Sequence, residues 1–283
     1  MSRGKSLVST EWLAEHLAAP DVRVVDASWY LPNEERNPRA EYAEQHIPGA
    51  VFFDIDEISD ETSDLPHMLP SPEKFSSRAR KLGLGDGVRI VVYDGGNMMA
   101  AARVWWMFRT FGHEDVAVLD GGLSKWLEEE RTVDDEAVIP RERHLTARKN
   151  TFLVRDREQM LANIDSKREQ VIDARGAGRF TGEEPEIRDG IRSGHIPGST
   201  NLPYSTLLNA DKTVKDDDAL RAAFTDLGVD TAKPIATTCG SGISACFLAL
   251  SLDLIGARKV AVYDGSWTEW GGREDSPVAT GPA

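Results

Sequence analysis

The 283-residue chain is 40% hydrophobic and 28% charged, the balance of a folded globular protein and too apolar for disorder. Its formal net charge of −14 disfavours nucleic acid and anionic membrane as partners, because both reward a basic face. No run of about 18 apolar residues occurs, which argues against a spanning helix and against any membrane role.

In chain order, Met1 to Leu7 runs straight into Glu11-Trp12-Leu13, with neither the apolar stretch of a secretion signal nor an acid-free, Arg-rich leader. That points to the cytoplasm. A β-rich run, Val24-Val25-Asp26-Ala27-Ser28, is followed by His46-Ile47-Pro48-Gly49-Ala50. Arg89-Ile90-Val91-Val92-Tyr93, closed by Asp94-Gly95, has the look of a buried parallel strand, and Val118-Leu119-Asp120-Gly121-Gly122 with Trp126 ends the series. Residues 134–151 are charged and lack an apolar period, so they read as a connector.

The same series then starts again. Val171-Ile172-Asp173-Ala174-Arg175, His195-Ile196-Pro197-Gly198-Ser199, Ala236-Thr237-Thr238-Cys239-Gly240 and Val262-Tyr263-Asp264-Gly265-Ser266 with Trp270 repeat the four landmarks in order. Their spacing is close to half the chain, far longer than the roughly 20–50 residues of a solenoid repeat, so a whole domain is duplicated. Residues 244–255 form an apolar helical run stopped by Gly256 at the C-cap position. Strands alternating with helices predict an α/β fold: two tandem domains, each a parallel sheet with helices on both faces. The boundaries expected are 1–138, a linker at 139–153, and 154–283.

Two cysteines are too few for a disulfide framework or a thiolate zinc site. Cys246 lies mid-helix among Phe247, Leu248 and Leu250 and reads as an inert core thiol. Cys239 differs. It follows the strand at 234–238, and Cys239-Gly240-Ser241-Gly242-Ile243-Ser244 leads into the next helix. Ligands of open α/β sheets bind beyond such strand ends. Two glycines let the backbone curl its N–H groups inward, and the helix adds the positive end of its dipole. Both favour a thiolate, open to a small anionic substrate. A phosphatase-type loop needs Arg where Ala245 stands, and a thioredoxin-like centre needs Cys-x-x-Cys, for which this loop offers no second cysteine; neither fits.

Cys-Gly-Ser-Gly-Ile-Ser resembles the active-site loop of the 3-mercaptopyruvate sulfurtransferases, within the rhodanese superfamily. The duplicated His-Ile-Pro-Gly and the Asp-Gly-Gly/Ser…Trp endings are similar to that family over nearly the whole chain, with Ser244 where many members have Thr. The resemblance implies two rhodanese-like domains and a Cys239 persulfide, with no metal and no cofactor. The sulfur would come from a small anionic donor, 3-mercaptopyruvate, and pass to a thiol such as thioredoxin or a low-molecular-weight thiol, or to cyanide, in a monomer. Thiosulfate-preferring rhodaneses carry basic residues directly after the cysteine, where this chain has Gly240 and Ser241. A thiosulfate:cyanide sulfurtransferase and a non-catalytic binding module are the alternatives.

By motif position the resemblance assigns Arg179 and Arg188 to substrate binding, beside the loop residues Gly240, Gly242, Ile243 and Ser244. It assigns a proton relay to Ser241, His67 and Asp56, which would draw on both domains. Read without it, Arg179 and Arg188 are surface arginines among Glu183, Glu184, Glu186 and Asp189, and His67 is a surface-loop histidine. Arg175 and Arg192 read as structural, as do His46 and His195, which occur in both copies. The first copy has Asp94 at the cysteine position, in Asp94-Gly95-Gly96-Asn97-Met98-Met99, and is therefore expected to be catalytically silent.

Overall fold

The computed structural model describes residues 3–282. The chain divides into two compact units. The first comprises Met1–Glu61, Leu69–Asn150 and Asn209–Val214; the second comprises Thr62–Met68, Thr151–Leu208 and Lys215–Ala283.

Among the described residues the first unit holds β1 (Leu7–Val8), β2 (Val22–Asp26), β3 (Val51–Phe52), β4 (Arg89–Tyr93) and β5 (Val116–Leu119). They form one sheet in the order β1-β5-β4-β2-β3, parallel throughout. The second unit repeats the plan with β6 (Val154–Arg155), β7 (Gln170–Asp173), β8 (Thr200–Asn201), β9 (Ile235–Thr238) and β10 (Val260–Tyr263), in the order β6-β10-β9-β7-β8. Every pairing is again parallel. The α/β architecture expected from the repeat is the one observed. Short β-branched runs buried along the strand form its central members: β4 pairs Val91 with Val24, and β9 pairs Thr237 with Ile172.

Each unit closes on its own tryptophan. Trp126 packs with Val24, Val91, Tyr93 and Leu119, and its indole N–H donates to the Thr132 carbonyl at 2.8 Å. Trp270 packs with Val171, Ala236 and Tyr263 and donates to the Pro277 carbonyl at 2.7 Å. The two repeated histidines are structural. His46 Nδ1 meets the Tyr42 carbonyl at 2.7 Å, and His195 Nδ1 meets the Phe180 carbonyl at 2.9 Å. Each also belongs to a backbone bridge that pins the following segment, His46 to Asp134 and His195 to Ala279.

The segment read as a connector lies along the first unit as far as Asn150. Leu145 is buried, the His144 carbonyl accepts from Asp86 N at 2.8 Å, and Asn150 N donates to the Thr110 carbonyl at 2.7 Å. Among the described residues no helix is long and apolar enough to cross a membrane.

Candidate active site

β9 ends at Thr238, and the loop 239–243 carries the chain into the helix Ser244–Leu254. Gly242 takes φ +79°, a left-handed conformation that a side chain would strain, and Ile243 returns to right-handed angles to open the helix. Gly240 is favoured for a different reason. A Cβ there would stand 3.1 Å from Arg179 Nη2, so the missing side chain admits a guanidinium against the loop backbone.

The loop is tied down along one edge. The Cys239 carbonyl accepts from Trp267 N at 2.9 Å, and the Gly240 carbonyl accepts from Thr268 N at 2.8 Å and Thr268 Oγ1 at 2.7 Å. Cys239 N donates to Ser266 Oγ at 3.1 Å, and the same hydroxyl lies 4.0 Å from Cys239 Sγ. These ties draw Cys239 beneath the loop, and the residue is 1% exposed. The open sulfur expected from the sequence is thus shielded at the base of the turn. Cys246 is an interior helix residue whose thiol points back to the Gly242 carbonyl at 3.1 Å.

Ser266 was missed by sequence reading. It is fully buried at φ +49°, and its hydroxyl donates to the Tyr263 carbonyl at 2.8 Å. Its counterpart in the first unit is Gly122 at φ +58°, where a Cβ would come within 2.6 Å of the Asp94 carbonyl. A serine thus holds a glycine conformation next to Cys239. The signal lay in the one-residue difference between Asp120-Gly121-Gly122 and Asp264-Gly265-Ser266.

The arginines separate by role. Arg175 is buried in a fork with Asp173 (Nη2 to Oδ2 2.7 Å) and reaches Glu186 Oε1 at 2.6 Å. Burial alone would depress its guanidinium, but Asp173 and Glu186 outweigh that and hold it above the ordinary arginine value. Arg192 donates to the carbonyls of Gly271, Trp270, Arg273 and Ser276, a brace for the C-terminal segment. Arg179 lies against the loop, yet its Nε and Nη2 are engaged by Glu186 Oε2 at 3.2 and 2.5 Å. Only the outer edge of its fork is left outside that pair. Arg188 Nη2 lies 3.4 Å from His67 Nε2.

His67 belongs with the second unit through the segment Thr62–Met68 and is buried at φ +61°, unlike a surface-loop histidine. The second unit therefore contains Cys239, Ser241, Arg179, Arg188 and His67. Asp56 belongs to the first unit, where its Oδ2 accepts from the Trp29 indole at 3.1 Å.

The corresponding loop of the first unit contains Asp94, 1% exposed. Its Oδ1 accepts from the N–H groups of Gly96, Asn97 and Met98 at 3.0, 3.1 and 3.0 Å. Its Oδ2 accepts from Ala100 and Ala101, both at 3.0 Å. One side chain fills the whole anion cradle.

The family profile described as the rhodanese-like domain matches residues 9–129 and 156–273. Human 3-mercaptopyruvate sulfurtransferase is 44% identical over 272 residues, covering 94% of this chain and 92% of its own. Thiosulfate sulfurtransferase of Cricetulus griseus is 46% identical over 273 residues, with the same coverage of 94% and 92%. The crystal structure of SseA from Escherichia coli, described among 3-mercaptopyruvate sulfotransferases, superposes with a TM-score of 0.85 at 42% identity, covering 92% of this chain and 98% of that one. The paired sheets, the strand-end loop in each unit and these matches lead to one conclusion: the chain belongs to the rhodanese family, as a tandem pair of rhodanese-like domains.

Proposed function

We propose that this chain is a sulfurtransferase that takes sulfur from 3-mercaptopyruvate onto Cys239. Relatives named for mercaptopyruvate and for thiosulfate are about equally similar to it, so overall identity does not separate the donors. The observation that favours mercaptopyruvate is the loop itself. Gly240 and Ser241 supply no cation after the nucleophile, and Arg179 and Arg188 approach from a different segment. A keto acid with one carboxylate suits that arrangement better than the sulfonate end of thiosulfate.

The Cys239 thiolate attacks the donor sulfur, and the S–C3 bond breaks with its electron pair passing to the pyruvate enolate. The proton from the donor thiol ends on C3, releasing pyruvate and leaving the persulfide anion. Ser241, His67 and Asp56 move that proton, with carboxylate orienting imidazole and imidazole activating the hydroxyl. Arg188 binds the carboxylate, and the outer edge of Arg179 the keto oxygen that gains charge. The inward N–H groups of the loop hold first the thiolate and then the persulfide. The first unit does no sulfur chemistry.

A thiol, thioredoxin or a low-molecular-weight thiol, then removes the outer sulfur, and cyanide does so in an assay. The two half-reactions give ping-pong kinetics. The enzyme is a cytoplasmic monomer, in a compartment that keeps both thiols free. An Arabidopsis relative at 41% identity is named as mitochondrial, so fractionation of the native protein tests the location.

Steady-state kcat/KM for the two donors tests the substrate. A strong preference for thiosulfate would replace this reading with that of a thiosulfate:cyanide sulfurtransferase. Mass spectrometry after incubation with mercaptopyruvate should show one added sulfur on the peptide bearing Cys239. A chain left unmodified by mercaptopyruvate and by iodoacetamide would be a binding module.

A further inference from the structure

The first unit has a cleft of about 840 Å³ at the amino end of β2. It opens between the end of the helix Thr10–His16, the Pro48-Gly49 turn and the Leu82-Gly83 turn, and the connector residues 138–144 form its remaining wall. The connector is held there by backbone bonds, Asp86 N to His144 O at 2.8 Å and Arg143 N to Arg80 O at 3.3 Å.

Two half-buried arginines line this cleft, Arg23 from β2 and Arg143 from the connector. Arg23 Nη1 donates to the carbonyls of Pro20 and Val22 at 3.1 and 2.6 Å, and Arg143 Nη1 to the Asp86 carbonyl at 3.5 Å. Those bonds aim the guanidinium groups without neutralising them; among the described residues neither is ion-paired with a carboxylate. Burial, and next the nearby Arg143, depress the Arg23 guanidinium against a smaller pull from Asp21. Arg141 and His144 line the same wall, opposed by Asp86 and Glu142. Like charges gathered in a concave site are costly in an empty protein and favourable around an anion. In a chain of net charge −14 such a concentration is local, not a consequence of composition.

The second unit supplies a control. Its equivalent cleft, about 570 Å³, is lined by Ile164, Gln170, Val171 and Pro197, and its charged residues, Lys167 and Glu169, are one of each sign. Gln170 occupies the strand position of Arg23, and its amide is consumed by the Asp230 backbone, donating to O at 2.9 Å and accepting from N at 2.8 Å. The fold therefore does not need an arginine at that strand position.

We propose that the first-unit cleft binds the phosphate group of a small phosphorylated ligand between Arg23 and Arg143. Two guanidinium groups from separate elements suit a doubly charged tetrahedral anion, which offers oxygens to both. The volume is that of an ordinary small-molecule site, and Leu17, Ala19 and Val138 provide an apolar surface for the ligand's body.

Isothermal titration of the full chain with inorganic pyrophosphate, at ionic strength fixed with chloride, tests the proposal. Saturable one-site binding is expected. Arg23→Gln, which installs the residue of the sister unit, and Arg143→Gln should each weaken it about tenfold. Both variants should keep the wild-type melting temperature and sulfur-transfer kcat/KM, which separates loss of the site from loss of fold. No saturable heat with the wild type, or affinity unchanged in both variants, would overturn the proposal. So would citrate binding as tightly as pyrophosphate, because the site would then select carboxylates.

Discussion

The loops at residues 94–99 and 239–244 occupy the same place in two copies of one sheet, and they differ in what fills the curl. In the first, the Asp94 carboxylate takes five backbone N–H groups and closes the cradle permanently. In the second, a cysteine stands at that position beneath a loop tied to Ser266. The surroundings differ in step. Tyr30 Oη lies where a Cβ on Gly95 would be, 2.2 Å away, and accordingly pairs with Glu41; Arg179 has that place beside Gly240 and pairs with Glu186. At the ends of β2 and β7, Asp26 accepts from Ser28 N, whereas Asp173 is neutralised by Arg175. In the first unit the backbone supplies a site for negative charge, and the proposed thiolate or persulfide would use the same place in the second. Whether that charge is fixed or exchangeable depends on one side chain and the cations around it.

The largest expected effect comes from exchanging those side chains. Cys239→Ser should lower sulfur transfer by at least about a thousandfold, while Cys246→Ser should leave it nearly unchanged. Cys239→Asp should be equally inactive yet no less stable to heat, since the second loop would then hold its own anion. A marked fall in melting temperature for that variant would mean that the two loops are not equivalent cradles.

Asp94→Ala should destabilise the first unit by about 3–5 kcal/mol, because five buried N–H groups lose a charged acceptor together. Urea denaturation measures it; a change under about 1 kcal/mol would mean that water replaces the carboxylate without cost. Arg188→Ala comes next, with KM for mercaptopyruvate raised about tenfold or more and a smaller change in kcat. If KM stayed constant while kcat fell, Arg188 would act on His67 and not on the substrate.

The smallest effect concerns Asp26, whose carboxyl is held above its ordinary value by burial, against hydrogen bonds from Ser28. The unfolded chain ionises first as pH rises past about 3.8, so native stability is lost from there up to the folded value. Asp26→Asn should raise the melting temperature by a few degrees at pH 7 and by nothing near pH 3. Asp173→Asn should do the opposite at neutral pH, because it strands the buried Arg175.

Much of the architecture was readable beforehand. The strands Arg89–Tyr93 and Ile235–Thr238 are apolar or β-branched runs that end at the glycine-bearing loops, and the helix Ser244–Leu254 stops beside Gly256 at φ +89°. The turn that carries Cys239 was also readable, because its glycines lie next to it in the chain between a strand and a helix. Ser266 was not, since it meets Cys239 across 27 residues of chain. Nor was the engagement of Arg179 by Glu186, where several neighbouring acids offered equal partners. The segment was read as a connector, and its weak apolar period hid both the buried Leu145 and the backbone bonds that hold it along the first unit.

The sequence by itself determined the duplication, the parallel α/β plan, the strand-end position of Cys239 and the presence of Asp94 at that position in the first unit. Those properties follow from neighbours in the chain: apolar period, backbone angles available to glycine, and the order of landmarks. Tertiary structure decided how deeply Cys239 sits, which carboxylate each arginine serves, and that Thr62–Met68 carries His67 into the second unit. A long charged side chain reaches many positions, and its partner is settled only when residues far apart in sequence are packed around it.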